Sequence, residues 1–325
     1  MKNNQIGIIG VGYWGTNIVN VLLNLNVKNI YCYDKNKKNL IEIKKKFPKV
    51  RIIKNLNFFL KLKLKGIIIS VDTKFHFNLA KMCLISGFNI FIEKPVTNNL
   101  KHLNELNKLS KLKNKFIMSG YIYLYNDHIK YIKKIIKKNT LGKILYVSFE
   151  RFNLGPVRND ISSLWDLSSH DIAISDYFFS KKLKILNFLG HDILKKRVND
   201  ITQFSAKIDD IRLDFRSSWL NPEKIRKIII VGKKKMLLYN ELDFKSPIKI
   251  FNKYAEYPKI SKFNKKFFTH KANIYLGRTT EPKIKFKSPL ENEMLEFLEC
   301  VKGLKRPLTS TKLSINVMKV LENLD

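Results

Sequence analysis

Short apolar runs recur along the first 119 residues at the spacing of buried strands. They are Ile6–Ile9, Asn29–Tyr33, Arg51–Ile53, Gly66–Val71, Asn89–Glu93 and Phe116–Ser119. Helical periodicity fills the gaps, as in Phe75–Ser86 and Leu100–Lys111, and Ser86-Gly87-Phe88 reads as a helix exit into a new strand. Runs that are apolar throughout, alternating with helices, predict a parallel sheet covered on both faces. From about Gly120 the rhythm changes. A connecting helix fits 127–138, a turn fits Leu141-Gly142-Lys143, and longer candidate strands follow at 144–152, 201–208, 211–218, 225–231 and 235–239. Their alternation predicts a sheet with one wet or partner-covered face. Helices are expected at 168–179, 289–301 and 312–324. There is no internal repeat and no low-complexity linker. The reading is therefore α/β: a doubly wound parallel sheet over residues 1–120, then an α/β domain over 121–325.

The length of 325 residues suits two domains, and 45% hydrophobic residues can supply a sizeable core. No apolar run approaches the roughly 20 residues of a membrane helix. The N-terminus leads straight into a strand without a leader-like apolar segment, so no membrane insertion and a cytoplasmic location are expected. Cys32, Cys83 and Cys300 lie far apart without ligand spacing. They read as buried thiols rather than disulfides or a metal site. The formal charge of +35 invites a nucleic-acid reading, but it comes from 53 lysines against nine arginines. The lysines are dispersed, with no basic tail and no arginine–aromatic motif, so no nucleic-acid partner is expected. The positive field still favours anionic small molecules.

The chemistry begins at Gly10-Val-Gly12-Tyr13-Trp14-Gly15. An apolar strand precedes it and a helix follows, the context in which GxGxxG binds a dinucleotide. Gly10 permits the turn, Gly12 lets backbone amides approach a diphosphate, and Gly15 lets helix and strand lie close. The helix start supplies N–H groups and the positive end of a dipole. Asp34 follows 19 residues after Gly15. A carboxylate there accepts from ribose hydroxyls and repels a 2′-phosphate, which favours NAD over NADP. Lys35, Lys37 and Lys38 soften that repulsion.

Glu93-Lys94-Pro95 closes the fifth strand. Proline biases Lys94 toward extended backbone, and the carboxyl ends of such strands are where open sheets bind ligands. An ammonium there can hydrogen-bond a developing alkoxide. Downstream, Trp165-Asp166-Leu-Ser-Ser-His170-Asp171 opens a helix. Asp166 and His170 are four apart and share a face, and histidine is the side chain most readily poised as a base near neutral pH. Lys94, His170 and Asp166 are the catalytic candidates, and the side chains of 94 and 170 are expected to converge on one carbinol.

These residues resemble the glucose–fructose oxidoreductase/inositol dehydrogenase family (Gfo/Idh/MocA) over essentially the whole chain. The resemblance is carried by the glycine turn, Asp34, Thr73 with His76, Glu93-Lys94-Pro95, Gly120-Tyr121, Leu141-Gly142-Lys143 and Asp166 with His170. Ser218-Trp219-Leu220 with Lys224 and Arg226, and Arg306-Pro307, resemble the subgroup acting on nucleotide-linked or amino sugars, and the stretch Arg151-Phe-Asn153-Leu-Gly155-Pro156-Val-Arg158, followed by Trp165-Asp166-Leu167, is similar to UDP-N-acetylglucosamine 3-dehydrogenases and related enzymes. The sequence departs from the family pattern at Lys74, where many members have proline, and at Tyr121, where many have histidine. The resemblance implies a Rossmann domain and a second domain whose large, mostly antiparallel sheet forms a homo-oligomer interface. It implies cofactor contacts from Gly10, Gly12, Tyr13, Trp14, Gly15, Asp34, Thr73, His76, Glu93 and Lys94. Lys94 would stabilise the reacting oxygen, His170 would act as base, and Asp166 would support substrate or histidine.

The expected reaction is NAD-dependent hydride transfer at a sugar secondary alcohol, C3 of a UDP-linked hexose, in surface-polysaccharide sugar synthesis. Tyr121, Arg151, Asn153, Arg158 and Asp166 are the expected substrate contacts, since arginine matches phosphate oxygens in pairs. An inositol or free-polyol dehydrogenase, a redox-neutral glycosidase that uses NAD, and a non-catalytic NAD- or nucleic-acid-binding protein are the alternatives.

Overall fold

The computed structural model describes residues 5–157, 161–256 and 272–324. The first part of the chain runs β1 (Gln5–Ile9), α1 (Tyr13–Asn24), β2 (Asn29–Tyr33), α2 (Lys37–Lys46), β3 (Arg51–Ile52), α3 (Leu56–Leu60), β4 (Gly66–Ile69), α4 (Thr73–Ile85), β5 (Asn89–Glu93), α5 (Leu100–Leu112) and β6 (Ile117–Gly120). The six strands form one parallel sheet in the order β3-β2-β1-β4-β5-β6. This is the doubly wound order, in which the strand sequence reverses between β1 and β4 and leaves a crevice at their carboxyl ends. Helices α2, α3 and α5 start at Asn36, Asn55 and Asn99, whose side chains accept from Lys38, Phe58 and His102 amides. Such caps satisfy otherwise orphaned N–H groups. Helix α1 differs: its cap is Gly12, which has no side chain to offer.

The second part runs α6 (Asp127–Lys137), β7 (Ile144–Leu154), α7 (Ser169–Phe179), β8 (Lys184–His191), β9 (Ile201–Ile208), β10 (Ile211–Ser218), β11 (Leu220–Gly232), β12 (Met236–Asn240), β13 (Ile248–Glu256) and β14 (Asn273–Thr280). Its sheet has the order β14-β13-β12-β11-β7-β10-β9-β8 and is antiparallel except where β7 meets β10. Stacked Phe149, Phe204 and Phe215 form an aromatic ladder in its core. The sheet is larger than the apolar pattern predicts. β8 and β14 lie at its two edges and expose most of their side chains. Edge strands bury little, so they leave little alternation in the sequence.

Two compact units result: residues 1–126 with 286–323, and residues 127–285. The last two helices, α8 (Pro289–Val301) and α9 (Thr311–Glu322), therefore join the parallel sheet, whereas the sequence reading kept them with the second domain. The physical reason is the apolar face of β1, β4 and β5, which α8 covers. Met294, Phe297 and Leu298 of α8 enter the same core as Ile6, Ile8, Ile68 and Phe91. Phe297 meets Phe91 edge-on at 6.0 Å. Gly66 makes room for it, since a Cβ there would stand 2.8 Å from the Phe297 ring. Each buried side chain of this size contributes about 1.5–3 kcal/mol. Helical periodicity shows that α8 has an apolar face but not which sheet receives it.

Candidate active site

In the first unit, the carboxyl ends of β1, β2, β4, β5 and β6 carry the glycine turn, Asp34, the Ser70–Thr73 loop, Lys94 and Tyr121 in that order. The glycine turn sits at the reversal point of the sheet. Gly10 has φ +91°, and a Cβ on it would lie 2.2 Å from the Ser70 carbonyl oxygen. A Cβ on Gly15 would lie 2.1 Å from the Gly10 carbonyl oxygen. Both positions must be glycine for turn, helix and β4 to approach this closely. Gly12 is different: the nearest atom to a Cβ there is the Asn39 amide nitrogen at 3.9 Å. Its missing side chain leaves open space beside the first turn of α1. A dinucleotide diphosphate fits that space, where uncapped helical N–H groups can meet its oxygens.

Asp34 ties the turn to β2. One carboxylate oxygen accepts from the Val11 amide at 2.9 Å and the Asn39 side chain at 3.0 Å, while the other accepts from the Asn36 amide at 2.8 Å. It thus shapes the glycine turn as well as presenting a negative charge where an adenosine ribose would rest. The sequence suggested only the second role. Tyr13 is exposed beside the turn. Trp14 points its indole N–H at Glu93, 2.5 Å away, and so links the turn to the end of β5.

Glu93 and Lys94 are half-buried, and burial pushes the Glu93 carboxyl up to about 7 against the lowering effects of Trp14 and Lys94. Gly120 of β6 lies opposite Glu93 in the sheet, and a Cβ on it would stand 2.6 Å from a Glu93 carboxylate oxygen. Thr73 opens α4 and is half-buried. His76, one turn into that helix, is fully buried between the carbonyls of Pro95 (2.8 Å) and Val71 (2.9 Å). Burial holds its imidazole below the ordinary histidine range. A neutral ring has one N–H to donate, so His76 braces the β4 and β5 loops internally. Tyr121, immediately after β6, is buried as well.

In the second unit, Asp166 lies in a wide π-type turn, Leu164–Ser168, that runs directly into α7. Such turns are rare and concentrate at functional sites. The buried Trp219 donates its indole N–H to Asp166 at 3.3 Å, and Ser168 donates to Ser217, itself bonded to Thr202 at 2.7 Å. The turn is thereby fastened to β9 and β10. His170 is the second residue of α7 and is half-buried. Next to it, buried Asp171 receives Arg151 of β7 through Nε (3.2 and 3.1 Å) and Nη2 (2.6 Å). Asn153 donates to the Gly155 carbonyl at 2.6 Å and accepts from Arg226 at 2.6 Å. Arg151 and Asn153, read from the sequence as substrate contacts, thus spend these bonds holding α7 and the end of β7. Arg158 lies outside the described residues.

Sequence reasoning passed over Asp171 and the Ser–Thr cluster because their partners are 15 to 49 residues away. Replacing Asp171 by alanine leaves a buried guanidinium without its counter-ion. The expected loss is about 3–5 kcal/mol of stability, measurable as a lowered denaturant midpoint.

Among the described residues no group of three or more His, Cys, Asp or Glu is placed to hold a metal ion, and the three thiols are buried. No described helix is long and apolar enough to cross a membrane.

Comparison with known proteins agrees with this geometry. Residues 4–121 match the family described as an oxidoreductase family with an NAD-binding Rossmann fold. Myo-inositol 2-dehydrogenase of Thermotoga maritima is 20% identical over 187 residues, covering 55% of this chain and 56% of the relative. The match thus spans little more than half of that protein. The structure of UDP-N-acetylglucosamine 3-dehydrogenase from Acidithiobacillus ferrooxidans superposes with a TM-score of 0.81 at 17% identity, covering 100% of this chain and 97% of that one. GenD2 of gentamicin A biosynthesis, solved in complex with NAD, gives 0.78 at 13% identity over 99% and 93%. At these identities the structural likeness speaks to fold.

Proposed function

We propose, on the match of residues 4–121 to the NAD-binding Rossmann fold of the Gfo/Idh/MocA oxidoreductase family, that the chain is an NAD-dependent dehydrogenase of a sugar secondary alcohol, C3 of a UDP-linked hexose. One observation carries the reading: the glycine turn, Asp34 and Lys94 stand at the carboxyl ends of neighbouring strands on both sides of the β1/β4 reversal. Bound nicotinamide supplies the hydride chemistry, and the protein supplies orientation and electrostatics. The α1 amides and Gly12 receive the diphosphate. Asp34 accepts from the adenosine ribose and disfavours a 2′-phosphate. Lys94 Nζ donates a hydrogen bond to the carbinol oxygen and offsets charge that grows there. An imidazole nitrogen of His170 takes the hydroxyl proton, and Asp166, fixed by Trp219, orients substrate or histidine.

The UDP-sugar assignment rests on the resemblance around 151–158 and on the fold shared with a UDP-sugar 3-dehydrogenase. The inositol dehydrogenase relative supports a second reading, a free-polyol dehydrogenase. Turnover of purified protein with NAD on UDP-N-acetylglucosamine and on myo-inositol, followed by NADH absorbance, separates them. NADH from the UDP-sugar alone is the expected result. NADH from inositol alone favours the second reading, and hydrolysis without net NADH favours a redox-neutral glycosidase. His170→Ala should lower the rate by about 10²–10⁴-fold; a nearly full rate at every pH removes it as the base. The exposed Ile274 and Leu276 of β14 and Leu189 of β8 suit a homo-oligomer formed through the second sheet, testable by light scattering.

A further inference from the structure

Helix α8 brings a second carboxyl group toward Glu93: Phe297, one turn on from Glu293, packs against Phe91, which shares a face of β5 with Glu93. Glu293 is 1% exposed, and neither of its carboxyl oxygens has a hydrogen-bond partner. Its neighbour Glu296, a single turn further along, is in the opposite situation. Glu296 accepts from the Tyr125 hydroxyl (2.8 Å) and the Leu308 amide (2.7 Å) and lies 3.5 Å from Lys305. Glu296 is built to carry a charge, and Glu293 is not. An ionised carboxylate without a donor or counter-ion in a dry interior is so costly that the group takes up a proton instead. Burial foremost, and then the negative charges of Glu93 and Glu296, raise the pKa of Glu293 well above the ordinary carboxylate range.

We propose that Glu293 is a positioning residue of the dinucleotide turn, a neutral carboxylic acid at neutral pH whose proton leaves Glu93 as the ionisable member of the pair. Two carboxyl groups close together in a low-dielectric site do not both ionise. With Glu293 neutral, Glu93 can carry the single negative charge that accepts from Trp14 and sits beside Lys94. The groups facing the pair are Trp14 of α1, Lys94 after β5, Glu296 of α8 and Tyr125, whose hydroxyl is held by Glu296 and by Thr309 at 3.0 Å. A carboxyl is neutral below its own pKa and charged above it. Alkaline pH therefore places a second negative charge beside Glu93, which holds Trp14 of the turn that is to receive a diphosphate. The cofactor consequence rests on the dehydrogenase reading; the neutral state of Glu293 does not.

The test uses the full-length protein and E293Q, in which an amide imitates the neutral acid and cannot ionise. Infrared spectra at neutral pH are expected to show a protonated-carboxyl C=O stretch that weakens in E293Q and persists in E296Q. An E293Q spectrum with the wild-type band overturns the proposal, whether or not NAD binds. The affinity of wild-type protein for NAD is expected to fall about tenfold toward alkaline pH, the Coulomb effect of one charge roughly 12 Å away at an effective dielectric of about 20, and the E293Q profile to be flat above the Glu93 titration near 7. Parallel profiles in the two proteins overturn the positioning role. If wild-type protein binds no NAD at any pH, the dehydrogenase reading fails, and the infrared result still decides the state of Glu293.

Discussion

Lys94→Ala is expected to lower kcat by about 10²–10³-fold, the usual loss when one preorganised donor to a developing oxyanion is removed. Lys94 follows β5 directly and is held from both sides. Before it, Glu93 is bound by Trp14 at 2.5 Å. After it, the Pro95 carbonyl faces the His76 ring at 2.8 Å. The side chain therefore leaves the sheet from a braced backbone, and removing it should leave that backbone in place. Dinucleotide binding, which depends on the glycine turn and Asp34, should persist. NADH fluorescence titration checks the second half of the expectation and steady-state turnover the first. A variant that loses cofactor affinity as severely as turnover would show Lys94 to be a binding residue.

The three glycines of the turn should separate into two classes. Alanine at Gly10 meets the Ser70 carbonyl and a φ of +91°, and alanine at Gly15 meets the Gly10 carbonyl. Both obstacles are backbone, which cannot rotate away. Overpacking and, at Gly10, forced positive φ should together destabilise the fold by about 3 kcal/mol or more. Alanine at Gly12 meets nothing closer than 3.9 Å. That variant should keep the wild-type denaturation midpoint and lose at least about tenfold in NAD affinity, because its methyl group enters the space assigned to the diphosphate. Denaturation curves and NAD titrations on the three proteins distinguish the classes. Wild-type NAD binding by Gly12→Ala would leave the turn without its assigned ligand.

Local pattern carries much of this molecule. The inner strands of the first sheet are apolar runs because they are covered on both faces, so β2 and β5 are readable to the residue and β1 and β4 nearly so. The glycine turn, Asp34 and Lys94 are readable for a related reason: their roles depend on backbone shape at a strand end, and backbone shape is set by Gly and Pro locally. The edge strands β8 and β14 left no comparable trace, since one exposed edge and few buried side chains impose little on composition.

The partners of the site residues were decided only by tertiary structure. No spacing in the chain connects Trp14 with Glu93, Arg151 with Asp171, or Asp166 with Trp219, which lie 79, 20 and 53 residues apart. Arginine at 151 suits phosphate and carboxylate equally well, and only the buried Asp171 opposite it settles where these bonds go. Likewise the helical period of α8 announces an apolar face, yet Phe297 finds Phe91, and Glu293 finds Glu93, through the closing of the first unit by its last residues. Sequence by itself determined the two kinds of sheet and the residues at the carboxyl ends of the parallel strands, because those follow from short-range sterics and periodic burial. The charge state and orientation of the same residues depend on groups brought in from distant segments, and solvent exclusion around them exists only once the chain has packed.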